Sequence, residues 1–161
     1  MIRYPLFLEL KNQPVVVVGA GKVAFRKVRT LLAAGADVTV VSPVAVPALQ
    51  RLKKIRWIRR TYRRGDLRGA CLVIAATDDR QVNEAVCAEA KKRRLLVNCI
   101  TPPEAGNFIV PSQVRRGGIM LAISTGGASP AFAKLLRREL EVFLGRGYPA
   151  LLKRMATGRK H

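Results

Sequence analysis

Apolar positions along the chain change period in a regular order. Pro14-Val15-Val16-Val17-Val18 is an unbroken β-branched run ending at Gly19, the pattern of a strand buried on both faces. From Lys22 to Ala34 the residues Ala24, Val28, Leu31 and Leu32 mark one face of a helix, and Gly35 stands where a C-cap glycine belongs. Val38–Val41 predicts a second strand, stopped by Ser42-Pro43. A short helix over Val46–Leu52, a strand over Ile55–Tyr62 and a buried strand over Leu72–Ala76 follow. Thr77-Asp78-Asp79 offers caps for a helix reaching about Arg93, and Leu95–Asn98 is a fifth strand. Strands alternating with helices predict an α/β fold with a parallel, doubly wound sheet.

After Asn98 the rhythm changes. Thr101-Pro102-Pro103-Glu104 reads as a loop, because proline cannot join a ladder and restrains the residue before it. Phe108–Pro111 and Ile119–Ile123 predict two more strands, and Gly126–Pro130 a turn into an amphipathic helix with Phe132, Leu135, Leu136 and Phe143 near one face. This β-β-α segment is too small for a core of its own, so it packs on the sheet or on a second copy of itself. From Gly145 to His161 the chain is basic and poorly patterned, which predicts a mobile tail. The expected domains are therefore 1–113, the nucleotide-binding sheet; 114–145, a dimerisation segment; and 146–161, the tail.

Composition narrows the partners. The 161 residues carry 30 Lys+Arg against 10 Asp+Glu, a net charge of +20. Such a field predicts a polyanionic partner, leaving nucleic acid, an anionic membrane surface and a polyacidic small molecule as candidates. Nucleic-acid recognition would add aromatics for stacking, whereas only 6% of residues are aromatic. Three cysteines with no CxxC pair, and a lone histidine at position 161, argue against a metal site. No apolar stretch approaches a bilayer span and the start does not read as a secretory signal, so the expected location is the cytoplasm.

Gly19-Ala20-Gly21-Lys22-Val23-Ala24 is GxGxxA, set between a strand and a helix in the first βαβ unit. The first glycine permits the tight turn, the second lets backbone approach a pyrophosphate, and the small third residue lets helix pack on strand. The anion would lie at the helix N-terminus, where free N–H groups and the macrodipole favour it. That context makes the fold a Rossmann-type doubly wound sheet with a small β-β-α appendage. The second strand ends in Ser42-Pro43-Val44 rather than in an acid. Ser42 is either a partner of the ribose or an ordinary turn residue, and NAD and NADP both stay open. Acid–base candidates are few: Asp78-Asp79 reads as a helix cap, Glu104 lies beyond the fifth strand on the carboxyl edge of the sheet, and Thr101 offers a hydroxyl but no carboxylate.

Together these residues resemble the precorrin-2 dehydrogenase family, which includes the N-terminal module of siroheme synthase. The matching pieces are Tyr4-Pro-Leu-Phe7, Val18-Gly-Ala-Gly-Lys-Val-Ala24 with Arg26-Lys27, and Ala75-Ala-Thr-Asp-Asp79 with Asn83. Val97-Asn98, Asn107-Phe-Ile-Val-Pro-Ser112 and Ser124-Thr-Gly-Gly-Ala-Ser-Pro130 continue the series over the first 144 residues or so. The resemblance implies an NAD-dependent oxidation of precorrin-2 to sirohydrochlorin; some relatives also insert iron, and with no aspartate at Thr101 and no available histidine the expectation here is at most slow ferrochelatase activity. It also implies a homodimer built on the β-β-α segment, and a substrate whose eight carboxylates account for the cationic charge without specific nucleic-acid or membrane binding.

By position, Gly19, Gly21, Lys22 and Val23 correspond to the family's first nucleotide contact. Pro43 and Val44, with Ser42, fall at the second, and Thr77 is placed on the same side. Ser124, Thr125 and Asn107 are the candidates for the tetrapyrrole. The family aspartate after the fifth strand is Thr101 here, with Glu104 as a substitute carboxylate. Relatives continue into a helical domain that helps cover the substrate, so a chain ending at His161 is expected to have a more open pocket or one completed by another protein. A catalytically impaired NAD-binding regulator or scaffold of the same fold is the alternative.

Overall fold

The computed structural model describes residues 3–145 and 147–157. Contacts divide the chain into two units, Phe7–Ile109 and Met1–Leu6 with Val110–His161.

The larger unit holds β1 (Pro14–Val18), α1 (Lys22–Ala33), β2 (Asp37–Val41), α2 (Pro47–Gln50), β3 (Ile55–Ile58), β4 (Leu72–Ala75), α3 (Arg80–Lys92) and β5 (Leu96–Cys99), then a 3₁₀ turn over Pro103–Ala105. Its five strands are ordered β3-β2-β1-β4-β5, and every pairing is parallel. Valine fills β1 because both faces are covered. Val15 and Val17 pack with Ala24, Val28 and Leu31 of α1, while Val16 and Val18 pack with Val86, Cys87 and Ala90 of α3. Each fully buried valine contributes roughly 1.5–3 kcal/mol, so register is strongly specified at the centre of the sheet. The order reverses between β1 and β4, which opens a crevice at their carboxyl ends where such folds bind ligands.

The smaller unit pairs β6 (Ser112–Arg116) with β7 (Ile119–Ile123) in antiparallel register, Val114 opposite Leu121, around a turn at Gly117, where φ is +57°. Helix α4 (Pro130–Leu144) is capped by Ser129, whose Oγ accepts the Phe132 N–H at 3.1 Å. Val114, Ala133 and Leu144 are buried, but Phe132, Leu135, Val142 and Phe143 are exposed. Arg3 donates to the Gly126 carbonyl at 3.2 Å, which ties the leading residues to this unit.

The described structure differs from the expected elements at three places. Phe108–Pro111 forms no strand: the Asn107 and Phe108 N–H groups both point at the Val97 carbonyl, and strand β6 begins only after Pro111, which has no donor for a ladder. A boundary after residue 113 would cut β6, and the units divide at Val110 instead. The stretch after Gly145 is not without regular structure, since Gly147–Thr157 is helix α5. Pro149 is tolerated in its first turn, where the missing N–H has no acceptor, and the Phe143 and Tyr148 rings meet at 5.3 Å between centroids. Residues 158–161 of the expected tail lie outside the described residues.

Candidate functional site

Local chemistry sets each wall of the crevice. At the β1–α1 turn Gly19 has φ of +103°, and a Cβ there would lie 2.3 Å from the Ala76 carbonyl oxygen. Only glycine lets the turn lie this close to the end of β4. Gly21 is different: its φ is −77°, and a Cβ would meet nothing within 4 Å. The fold does not need glycine there, so the vacant space faces outward. Gly21 N-caps α1 without any side-chain cap, leaving the first-turn N–H groups of Lys22, Val23 and Ala24 without helical acceptors. Such donors, with the helix dipole behind them, suit an anion.

On the second wall, the Val46 N–H donates to the Ala20 carbonyl at 3.0 Å, holding the Ser42–Val46 loop against the glycine turn. Ser42 is buried, and its Oγ donates to the Val44 carbonyl at 2.7 Å. Its proton is thus spent within the turn. Pro43 and Val44 are exposed, Val44 at 75%.

The third wall is fixed by a fully buried amide. Asn83 Oδ1 accepts the Thr77 N–H at 3.0 Å, and its Nδ2 donates to the carbonyls of Thr77 and Thr101, both at 3.0 Å. One side chain therefore joins the ends of β4 and β5. Thr77 Oγ1 lies 2.8 Å from Asn83 Oδ1 and 2.9 Å from the Asp79 carbonyl. Asp79 is the helix cap, its Oδ1 accepting from the Gln81 and Val82 N–H groups. Asp78 is exposed and free of that duty.

The resulting cleft, about 580 Å³, is lined by Gly19, Gly21, Ser42, Pro43, Val44 and Thr77, and also by Thr61, Tyr62 and Asp78. Lys22 and Val23 open α1 at its edge. Tyr62 is set by a latch: its hydroxyl donates to Glu89 at 2.5 Å, while Glu89 also takes the Gly65 N–H and Arg93 Nε. Burial pushes the Glu89 carboxyl up, but these hydrogen bonds outweigh it and hold the group below the usual carboxylate range. Burial and the same contact push the Tyr62 hydroxyl well above its ordinary value. It stays a protonated donor.

Other expected residues fall elsewhere. Thr101 and Glu104 are exposed beyond β5 and are not among the lining residues. Asn107 is exposed and clamps the edge of β5: its Oδ1 accepts the Val97 N–H and its Nδ2 donates to the Leu95 carbonyl, each at 2.8 Å. Ser124 and Thr125 belong to the smaller unit, where Thr125 Oγ1 bridges to the Ser129 backbone at 3.2 Å and Ser124 Oγ accepts the Gly126 N–H. Sequence reasoning missed Tyr62 and the organising role of Asn83. Asn83 stood in a motif, but its partners are 6 and 18 residues away.

The chain is similar to known proteins over most of its length. Residues 6–112 match the family model described as "Putative NAD(P)-binding", and residues 116–142 the one described as "Sirohaem biosynthesis protein central". The chain is 44% identical over 156 residues to the siroheme synthase of Methylobacillus flagellatus, covering 95% of this chain and 32% of that protein. It is 44% identical over 143 residues to siroheme synthase 3 of Aeromonas hydrophila, covering 87% and 31%. The chain thus spans about a third of the length of these curated relatives. A solved structure, SirC, precorrin-2 dehydrogenase, matches with a TM-score of 0.81 and 32% identity over 94% of this chain and 76% of that one.

Proposed function

The chain belongs to the family of siroheme synthases and precorrin-2 dehydrogenases, and we propose that it oxidises precorrin-2 to sirohydrochlorin with NAD as acceptor. The observation that carries this reading is the crevice at the β1–β4 reversal, where vacant space at Gly21 meets three unclaimed N–H groups of α1. These features fit a dinucleotide pyrophosphate. Gly19 and Gly21 admit it, the N–H groups of Lys22, Val23 and Ala24 hold its charge, and exposed Pro43 and Val44 give the adenine an apolar platform. Thr77, bracketed by Asn83, sets the floor between the two halves of the cofactor.

When bound, the nicotinamide supplies a two-electron acceptor for hydride leaving the macrocycle. The protein's task is mainly to hold donor and acceptor in line and to exclude water. The proton lost along with the hydride needs a base, and the exposed carboxylates at this edge of the sheet that cap no helix are Asp78 and Glu104; Thr101 carries none. Ser124 and Thr125 are read as contributing to the tetrapyrrole site. The excess of cations concentrates a substrate with eight carboxylates. A second copy of the chain covers the exposed α4 face around Val142 and Phe143. Among the described residues no helix is long and apolar enough to cross a membrane.

The test is an anaerobic incubation of the protein with precorrin-2 and NAD, following sirohydrochlorin and NADH together. Stoichiometric formation of both is expected. Folded protein that yields neither overturns the proposal.

A further inference from the structure

Behind the end of β2, on the Trp57 ring, rests a cation that the proposed reaction leaves unused. In dinucleotide folds a carboxylate at the end of the second strand holds the ribose 2′-hydroxyl and disfavours a 2′-phosphate. Here β2 runs into Ser42-Pro43-Val44, which has no charge, and the Ser42 hydroxyl has turned inward to the Val44 carbonyl. The Ser42 backbone is gripped from β3 on both sides. Its N–H donates to the Ile58 carbonyl at 3.1 Å, and its own carbonyl accepts Trp57 Nε1–H at 3.0 Å. The indole fixed in this way carries Arg59, whose Cζ lies 4.3 Å from the ring centroid.

A guanidinium stacked so closely is oriented before any ligand arrives, with its fork of N–H donors free at the edge. Arg59 makes no ion pair among the described residues. Its neighbour Arg60 differs, being neutralised by Asp66 through contacts of 2.8 and 2.6 Å. Thr61 and Tyr62, the next residues along, line the cleft. A free cation with planar donors therefore stands on the indole that bonds the Ser42 carbonyl, at the turn assigned here to the ribose.

We propose that Arg59, stacked on Trp57, anchors the 2′-phosphate of NADP(H), so that the chain accepts the phosphorylated dinucleotide at least as well as NAD(H). This rests on the reading of the crevice as a dinucleotide site. Trp57 is the single tryptophan, so energy transfer from it to a reduced nicotinamide reports binding without turnover, and calorimetry checks each variant.

The full chain is titrated with NADPH and NADH at physiological salt. NADPH is expected to bind at least as tightly as NADH. Arg59→Ala should weaken NADPH about 10- to 100-fold, as expected for lost charge-assisted contacts to a phosphate, and leave NADH unchanged. Arg59→Lys should restore part of the loss. Arg56→Ala, which removes another exposed cation three residues earlier, within β3, controls for overall charge. An equal loss in Arg56→Ala and Arg59→Ala, or wild-type protein that takes NADH but not NADPH, overturns the assignment. Folded protein that binds neither dinucleotide overturns the crevice reading itself, and this assignment with it.

Discussion

Replacing either glycine of the β1–α1 turn by alanine separates folding from ligand binding, because the two occupy opposite situations. At Gly19 the added Cβ would sit 2.3 Å from the Ala76 oxygen and 2.6 Å from its carbonyl carbon, with φ at +103°. Those atoms are backbone, so no rotamer change relieves the clash. Strained backbone costs roughly 1–3 kcal/mol and overpacking about 1–3 more, or roughly 2–6 kcal/mol in all, a large share of a typical domain's stability. At Gly21 the Cβ meets nothing and φ is ordinary. Losing glycine at an N-cap costs at most about 1 kcal/mol. The same Cβ would enter the space assigned to the pyrophosphate, weakening NADH about 10- to 100-fold by a steric penalty of overpacking size. Urea unfolding and calorimetric titration of both variants read the two quantities separately. A folded Gly21→Ala protein that binds NADH as the wild type does would refute the placement of the pyrophosphate.

Four further outcomes follow from the same geometry. Asn83→Ala leaves the Thr77 N–H and the Thr77 and Thr101 carbonyls without their partner; a loss of about 2–5 kcal/mol is expected in urea unfolding, and a loss below about 1 would mean water replaces the amide. Glu89 is held below the usual carboxylate range by Tyr62, Gly65 and Arg93 despite burial, so its contribution is present above its unfolded value of about 4.3 and lost as pH falls through the folded one; stability curves between about pH 5 and 3 should be flatter in Glu89→Gln, and identical slopes would refute this. Thr101→Asp supplies a carboxylate beyond β5 and should raise anaerobic sirohydrochlorin formation by up to about 100-fold, the low end of general-base effects, without altering NADH binding; no gain would show that Thr101 is not a proton-transfer position. Val142→Asp with Phe143→Asp places charge on side chains 81% and 65% exposed in α4 and should convert a dimer to monomer in sedimentation, while an unchanged mass would refute the interface.

How much was legible beforehand depends on how far each residue's partners lie along the chain. The valines of β1, the α1 stripe and the glycine after α1 declare themselves within a few positions, since each depends on a local period or a single turn. Gly19 and Gly21 were legible as a pair, but not as different: that one is required by Ala76 and the other is free of contact depends on where β4 lies. The structural role of Asn107 was hidden for the converse reason. A polar residue in a loop beyond a strand suggests a ligand, yet its amide completes the backbone bonding of Leu95 and Val97. Helix α5 was hidden by two glycines and Pro149, which matter less at a helix start than within one. The Arg59–Trp57–Ser42 stack had no sequence signal beyond a run of basic residues, because what distinguishes Arg59 from Arg60 is which neighbour each side chain meets.

The walls of the crevice share one asymmetry, and it bears on function. On the sheet side these devices are satisfied: Gly19 gives its N–H to the Val41 carbonyl, Val46 gives its own to Ala20, and Asn83 fills the ends of β4 and β5. On the cleft side the devices are left open: an uncapped helix start, an uncontacted Gly21 and a large exposed apolar Val44. Folding alone gains nothing from uncapped donors or an exposed valine, since a Ser or Asp cap would add about 1 kcal/mol and a polar rim would lose no packing. Rigid walls with unsatisfied chemistry facing the same space are what a site needs if binding is not to spend its free energy on ordering the protein. The two glycines, one necessary to the wall and one to the vacancy, mark where those requirements meet.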